Sequence, residues 1–393
     1  MGIVAFKQRR SEKMGRTCFA LFAIGYLALI YSLGSFGVAP ADQSQAALPP
    51  QIAKSVVLEL PPGEDNPRNS EGDFIRLESG DILYVYTHYY GASGDDHATA
   101  RLCSRITKNY GATWSEEDEV ILDNEGQLNV MSVSLLRLRD RSIALFYLVK
   151  ESAGDCRPYL RYSYDEGETW TDRVQILPEA SYNVINNSRA VLLQEGRIIL
   201  PVARHAYRGG DVYNYENKAT LFCLISDDGG RHWSKSEEVP NSRDIMYQEP
   251  GVVELADGRL LMTIRNASGR QYFAFSDDRG ATWSDSTPSI LVSPASPATI
   301  KRQPGSDNLV AIWNESPDKR NPITIALLSP DGSEFLAKKT LDKSFDNETQ
   351  GFCYPALFFI DANTFLVGYC CGKGYYGLSA SRIVRARIED LKK

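Results

Sequence analysis

Cysteine and histidine are scarce in this chain of 393 residues, which contains seven cysteines and four histidines. The cysteines form no CxxC pair and the histidines are scattered, so the sequence carries no zinc motif. Six cysteines follow residue 41, an even number that permits disulfides in an exported chain. Their wide spacing fits buried free thiols equally well. They are Cys103, Cys156, Cys223, Cys353, Cys370 and Cys371.

Long apolar runs are absent after residue 41, and no later segment is apolar for long enough to cross a membrane. At the N-terminus, a basic patch precedes an apolar run from Phe19 to Leu33 and small residues that end in Ala39-Pro40-Ala41. This layout is typical of a secretory signal peptide. The alternative is an uncleaved anchor over Cys18 to Ala39. Both predict an exported protein, secreted or periplasmic, with residues 42–54 as a linker.

In the body of the chain, positive charge is outnumbered by negative charge. The first 41 residues carry a net charge of +4, which leaves −11 on the remainder because the whole chain carries −7. Such an acidic body argues against nucleic acid or anionic lipid as the main partner. An anionic ligand would therefore need arginines that are gathered locally.

Against these absences stands a repeated polar turn of the form S-x-D-x-G-x-T-W. It spans Thr107–Trp114, Ser163–Trp170, Ser226–Trp233 and Ser276–Trp283, and a shortened version starts at Ser329. A spacing of roughly 50 to 60 residues, with turns between short apolar runs, is typical of propeller blades. In each turn the Asp can accept backbone N–H bonds, the Gly supplies a positive φ and the Trp packs beneath. We therefore interpret these Asp boxes as scaffold.

A second repeat, out of phase with the first, consists of six strand-turn-strand segments with tight turns. Together the two repeats predict an all-β fold, a six-bladed β-propeller over residues 55–393. The terminal segments at 55–60 and 381–388 are expected to pair and close the ring, which would remove exposed sheet edges.

The innermost strands of a propeller converge on one pocket, so equivalent positions of the six hairpins should share it. Nine residues before each hairpin turn, the chain places mostly polar side chains. Such convergence favours a binding or catalytic site. The six residues are Glu71, Met131, Asn187, Glu249, Ser296 and Tyr354.

The Asp boxes, the strand YQEPGVVELADGRLLMTIRN with Glu249 and Arg265, and the late tyrosine in FCYPALFF resemble the sialidase (exo-α-neuraminidase) superfamily. The resemblance covers about residues 55–393. It implies a retaining glycoside hydrolase that releases terminal sialic acid or a related acidic sugar from glycans. It also implies that Tyr354 is the nucleophile, Glu249 its base and Asp96 the acid/base, with Asp95 as the alternative.

A tyrosine nucleophile suits a substrate whose anomeric carbon bears a carboxylate. That carboxylate would repel an Asp or Glu nucleophile by about 4 kcal/mol at about 4 Å and an effective dielectric of about 20. A neutral phenol avoids the repulsion if a nearby carboxylate takes its proton. No metal or organic cofactor is required. The alternatives are a structural tyrosine, a Glu249 that merely pairs with Arg265, and an acidic loop at Asp96 that is solvated or holds an ion.

The resemblance breaks at the three arginines with which sialidases clamp the substrate carboxylate. Arg265 matches the second, but Glu71 occupies the first position and no arginine lies around 294–296. Arg68, Arg189 or Arg302 could compensate. Two other hypotheses therefore stay open. One is a glycosidase for a uronic or neutral sugar, with Glu71 and Asn187 holding hydroxyls, and the other is a non-catalytic carbohydrate-binding propeller.

Overall fold

The computed structural model describes residues 48–211, 213–344, 350–373 and 377–393. The expected leader at 1–41 and the first part of the linker lie outside the described residues. The described chain is almost entirely β structure, with one short helix, α1 (Ile388–Lys392), at its end. Within these ranges, no helix is both long and apolar enough to span a bilayer.

Six four-stranded antiparallel units, here called blades, follow one another along the chain. Blade 1 consists of β2 (Arg68–Arg76), β3 (Ile82–Tyr89), β4 (Ala100–Thr107) and β5 (Glu119–Leu122), and it is preceded by β1 (Lys54–Leu60). Blade 2 consists of β6 (Asn129–Arg137), β7 (Ile143–Ser152), β8 (Asp155–Ser163) and β9 (Val174–Gln175). After β10 (Tyr182–Val184), blade 3 consists of β11 (Val191–Leu192), β12 (Ile198–His205), β13 (Thr220–Ser226) and β14 (Ser234–Lys235).

The second half of the chain repeats the pattern. Blade 4 consists of β15 (Gln248–Glu254), β16 (Leu260–Arg265), β17 (Arg270–Ser276) and β18 (Thr287–Val292). Blade 5 consists of β19 (Thr299–Arg302), β20 (Leu309–Asn314), β21 (Ile323–Leu328) and β22 (Phe335–Asp342). Blade 6 consists of β23 (Gln350–Phe359), β24 (Thr364–Lys373) and β25 (Ala380–Arg387).

Both ends of the described chain meet in blade 6. Strand β1 pairs antiparallel with β25, with Ser55 opposite Arg385, and completes a four-stranded sheet in the order β1-β25-β24-β23. Blades 2 and 3 are joined into one nine-stranded sheet because β10 pairs with both β8 and β12. The predicted all-β propeller and its closing strand pair are confirmed.

The Asp boxes pack against the neighbouring blade. In blade 2 the Ser163 hydroxyl donates to Asp165 over 2.8 Å, and the same carboxylate oxygen accepts the Thr169 N–H over 2.9 Å. Gly167 has a positive φ of 96°, and a Cβ built on it would lie 3.3 Å from Leu83 in blade 1. The Asp side chains are thus used inside the turns, in agreement with the scaffold interpretation.

The innermost strands carry β-bulges at matching places. The register shifts around Glu71 in blade 1, around Glu249 in blade 4 and around Tyr354 in blade 6. Glu249 has a φ of 34° and Tyr354 a φ of 52°, a region that side-chain-bearing residues seldom adopt. Bulges re-aim side chains, and strained backbone of this kind clusters at functional sites.

Candidate active site

One cavity collects side chains from all six blades at the N-terminal ends of the inner strands. We call it the funnel cavity, and its volume is about 260 Å³. Most of its polar lining consists of charged groups, tyrosines and amides. The lining includes Glu71, Asp96, Met131, Tyr182, Asn186, His205, Glu249, Arg265, Arg320 and Tyr354.

Tyr354 and Glu249 face each other in this cavity. The Tyr354 hydroxyl donates to Glu249 Oε1 over 3.4 Å. This distance is long for an O–H···O bond, but catalytic hydrogen bonds are often long before substrate is bound. Burial, reinforced by the charge of Glu249, raises the pKa of Tyr354 well above its usual range, even though Arg320 and Arg265 act in the opposite direction. The phenol is therefore neutral.

Glu249 is ionised beside that neutral phenol. Burial opposes its ionisation, but the charges of Arg265 and Arg320 outweigh burial and lower the pKa of the carboxyl. Arg265 Nη1 also donates directly to Glu249 Oε2. A carboxylate that can accept the phenol proton thus lies within hydrogen-bond reach, the arrangement that activates a weak nucleophile.

Asp96 lies on the loop between β3 and β4, with about half of its side chain exposed (52%). Arg68 Nη1 donates to its carboxylate over 2.5 Å, and Lys150 Nζ donates to its backbone oxygen over 2.7 Å. Burial opposes ionisation, but Arg68 and Lys150 outweigh it and lower the pKa of Asp96. The neighbouring Asp95 is exposed, accepts a hydrogen bond from the Tyr213 hydroxyl and lies outside the cavity lining.

Arg320 was missed by the sequence analysis. It lines the funnel cavity beside Arg265, and its Cζ lies 5.8 Å from the centroid of the Tyr354 ring. Its Nη2 donates to the backbone oxygen of Ala295 over 3.1 Å. The segment around 294–296, where no arginine was found, is therefore covered by an arginine from the loop between β20 and β21 of the same blade.

Arg68 and Glu71 occupy the first arginine position together. Arg68 is almost fully buried (3% exposed), stacks on Tyr89 and donates to Glu71 over 3.4 Å. Glu71 lines the cavity, while Arg68 contacts both Glu71 and Asp96 from behind. Burial, together with the charges of Asp96 and Glu249, raises the pKa of Glu71 against the opposing charge of Arg68. This weakens the repulsion that a glutamate would exert on an anionic sugar.

Asn187 and Arg189 lie outside the funnel cavity, contrary to the expectation that they bind substrate. The Asn187 amide donates to the backbone oxygens of Gly72 over 2.8 Å and Tyr354 over 3.2 Å. Arg189 Nη1 donates to the Thr299 hydroxyl, which donates to the Pro355 backbone oxygen. Both residues therefore support the bulges. Arg302 lies with Arg189 in a second cavity, and Ser296 is fully buried.

An aromatic wall on one side of the funnel cavity was also missed. The Tyr182 and Tyr215 rings stack with centroids 4.9 Å apart, and His205 packs edge-on against Tyr182. These residues come from β10, the end of β12 and the loop after β12, where blade 3 departs from the regular repeat.

The six cysteines after residue 41 are free, and five of them are buried. Among the described residues, no cluster of His, Cys, Asp and Glu side chains is arranged to hold a metal ion.

Comparisons with known proteins identify the family of the chain. Residues 69–366 match the family model of the BNR repeat-like domain. A sialidase of Clostridium perfringens is 26% identical over 235 residues, which cover 53% of this chain and 58% of the relative. The chain thus spans less than two thirds of that protein's length.

Two solved structures share the fold. A Dyadobacter fermentans protein of unknown function has a TM-score of 0.66 and 20% identity, over 85% of this chain and 99% of its own. A leech intramolecular trans-sialidase complexed with 2,7-anhydro-Neu5Ac has a TM-score of 0.69 and 13% identity, over 86% of this chain and 71% of its own. Because the family model covers most of the chain, the protein belongs to the BNR repeat-like family of the sialidase superfamily.

Proposed function

We propose that the protein is an exo-acting, retaining glycoside hydrolase that releases terminal sialic acid or a related acidic sugar from glycans. The observation that carries the proposal is the neutral Tyr354 hydroxyl beside the ionised Glu249, with Arg265 and Arg320 lining the same cavity. A carbohydrate-binding propeller has no need of a phenol paired with a base.

In the proposed mechanism, the Tyr354 oxygen attacks the anomeric carbon while Glu249 takes the phenol proton. The bond to the leaving group breaks, and Asp96 donates a proton to the departing oxygen. A water molecule then attacks the tyrosyl intermediate, with Asp96 accepting its proton, and Glu249 returns a proton to the tyrosine. The sugar leaves with its original anomeric configuration because two displacements have occurred.

The arginines favour an acidic sugar over a neutral one. Guanidinium groups match the geometry of a carboxylate, and Arg265 and Arg320 flank the reacting pair. A carboxylate nucleophile would be repelled by such a substrate, whereas the neutral Tyr354 is not. Arg68 supplies a third guanidinium behind Glu71 and Asp96.

Asp96 must be protonated to act as the acid, although Arg68 and Lys150 lower its pKa in the unliganded protein. We propose that the negative charge of the bound substrate carboxylate partly offsets the positive charge of Arg68. Less of that charge then stabilises the Asp96 anion, so substrate binding raises the pKa of Asp96. Substrate binding would thereby favour the protonated form of Asp96 that the acid step requires.

The direct test is hydrolysis of a fluorogenic α-sialoside by the full-length chain. We expect turnover by the wild type and a collapse of turnover in Tyr354→Phe. The control is Tyr164→Phe, because the Tyr164 side chain is exposed and remote from the cavity lining. Full activity in Tyr354→Phe would refute the nucleophile. A folded wild type that fails on sialosides but cleaves a uronic or neutral glycoside would change the sugar, and failure on the whole panel would favour the binding propeller.

We also propose that the body of the protein is exported, as the composition of residues 1–41 predicts. N-terminal sequencing of protein recovered outside the cytoplasm tests this. A new N-terminus near residue 42 is expected for a cleaved signal peptide. An intact N-terminus in the membrane fraction would indicate the anchor, and recovery only from the cytoplasm would refute export.

A further inference from the structure

A second cavity lies along the inner strands beyond their bulges. We call it the axial cavity; its volume is about 330 Å³, within the range of small-ligand sites. It shares no lining residue with the funnel cavity. On the inner strands, the funnel cavity is lined by residues at or before the bulges, and the axial cavity is lined by residues that follow them. Its lining includes Leu136, Arg189, Val253, Thr299, Lys301 and Arg302.

Three cations line this cavity in a body that is otherwise strongly acidic. Arg189 is almost fully buried (3% exposed), and its Nε and Nη2 have no hydrogen-bond partner in the described part of the chain. Lys301 makes no ion pair within the described ranges, and Arg302 donates only to the Leu255 backbone oxygen, over 3.4 Å.

The nearby carboxylates are too few to neutralise these three cations, and they already accept other hydrogen bonds. Glu254 is the one carboxylate in the described lining, it already accepts the Gln194 N–H, and burial raises its pKa. Asp73 attracts Lys301 electrostatically, but its two oxygens accept the backbone N–H groups of Phe74 and Leu135. Positive charge is therefore in excess.

Buried charge without a partner is unfavourable, and its effect is visible in the titration of these groups. Burial lowers the pKa of Arg189 to about 10, against the attraction of Glu249 and Asp73. Burial also lowers the pKa of Lys301, against the attraction of Asp73. The cavity therefore has fewer negatively charged acceptor oxygens than cations.

We propose that the axial cavity is a binding site for a small oxyanion, such as phosphate, sulfate or a small carboxylate, held between Arg189 and Lys301. A guanidinium presents paired N–H donors to such ions, and Lys301 adds a point charge. The anion would neutralise the excess charge and accept the hydrogen bonds that Arg189 Nε and Nη2 leave unmade.

The test is isothermal titration of the full-length chain with inorganic phosphate, at constant ionic strength in chloride. We expect one site per chain whose affinity falls at least tenfold in Lys301→Met and is unchanged in Arg265→Met. Lys319→Met is the matched control, because it removes the same charge from an exposed position. Sulfate and glucuronate, titrated in parallel, separate inorganic oxyanions from an acidic sugar.

Two results would overturn the proposal. One is the absence of phosphate binding, and the other is binding that survives in Lys301→Met but is lost in Arg265→Met, which would place the anion in the funnel cavity. Lys301→Met should fold, since it reduces the excess of positive charge in the cavity. If it does not fold, Arg302→Met removes a neighbouring cation from the same lining and should also weaken phosphate binding. The titration needs no sugar hydrolysis, so its failure would leave the proposed glycosidase activity unaffected.

Discussion

The funnel cavity and the axial cavity lie on the same inner strands, but their arginines differ in whether they have carboxylate partners. In the funnel cavity, Arg265 pairs with Glu249, and Arg68 behind it pairs with Asp96. In the axial cavity, Arg189 has unused nitrogens and no paired carboxylate among the described residues. The arginines of the funnel cavity lower the pKa values of the carboxyl groups that they pair with. The unpaired nitrogens of Arg189 are instead suited to binding an anion.

Of the changes that distinguish the two cavities, Glu249→Gln is expected to have the largest effect on activity. Removing the group that we propose accepts the phenol proton should lower kcat by about 10²- to 10⁴-fold, the usual contribution of a general base. Steady-state kinetics on the fluorogenic sialoside would measure it. The control is Glu254→Gln, in which a carboxylate of the axial cavity is changed and kcat should remain normal. Equal losses in both variants would contradict the assignment.

Next in size is the effect of Arg320→Ala. A hydrogen bond to a charged group contributes about 1.5–3 kcal/mol, so kcat/KM for an acidic sugar should fall by about 10- to 100-fold. Arg302→Ala, in the axial cavity, should leave kcat/KM unchanged. An Arg320→Ala variant that hydrolyses the acidic sugar normally would show that Arg320 does not contact the substrate carboxylate.

A smaller effect, on stability, is expected for Asn187→Ala. The change removes two hydrogen bonds to backbone oxygens at the bulges of Glu71 and Tyr354 and leaves those oxygens without this donor. The free energy of unfolding should fall by about 1–3 kcal/mol. Urea denaturation would measure this against Asn308→Ala, whose side chain is partly exposed. An unchanged midpoint would show that Asn187 does not support the bulges.

The smallest effect concerns pH. Lys150 helps to lower the pKa of Asp96, so Lys150→Met should raise that pKa. Because the proposed mechanism requires a protonated Asp96, activity is expected to fall as pH rises through its pKa, and the variant should keep activity to higher pH. The pH profile of kcat, which reports groups in the substrate complex, would show the shift, with Lys319→Met as the control. An alkaline limb that stays in place would argue against Asp96 as the acid.

The repeats made the fold predictable, and the hairpin count located Glu249 and Tyr354 because their bulges fall at the same distance before the turn. Asn187 was misplaced because blade 3 is irregular: β11 has only two residues, and β10 is inserted before it. Arg320 was missed because it lies on a loop, and loops share no period with strands. Arg68 was reached only as a neighbour of Glu71, since sequence alone does not show that its guanidinium turns toward Asp96.

The pairing of β1 with β25 has a consequence for biosynthesis. Blade 6 cannot be completed until β25 has been synthesised, and β1 stays without its pairing partner until then. A ring closed by its two ends therefore assembles late, and its formation depends on contacts between residues that are distant in sequence. If the chain is exported, as we propose, β1 has no partner in this sheet until β25 has also emerged.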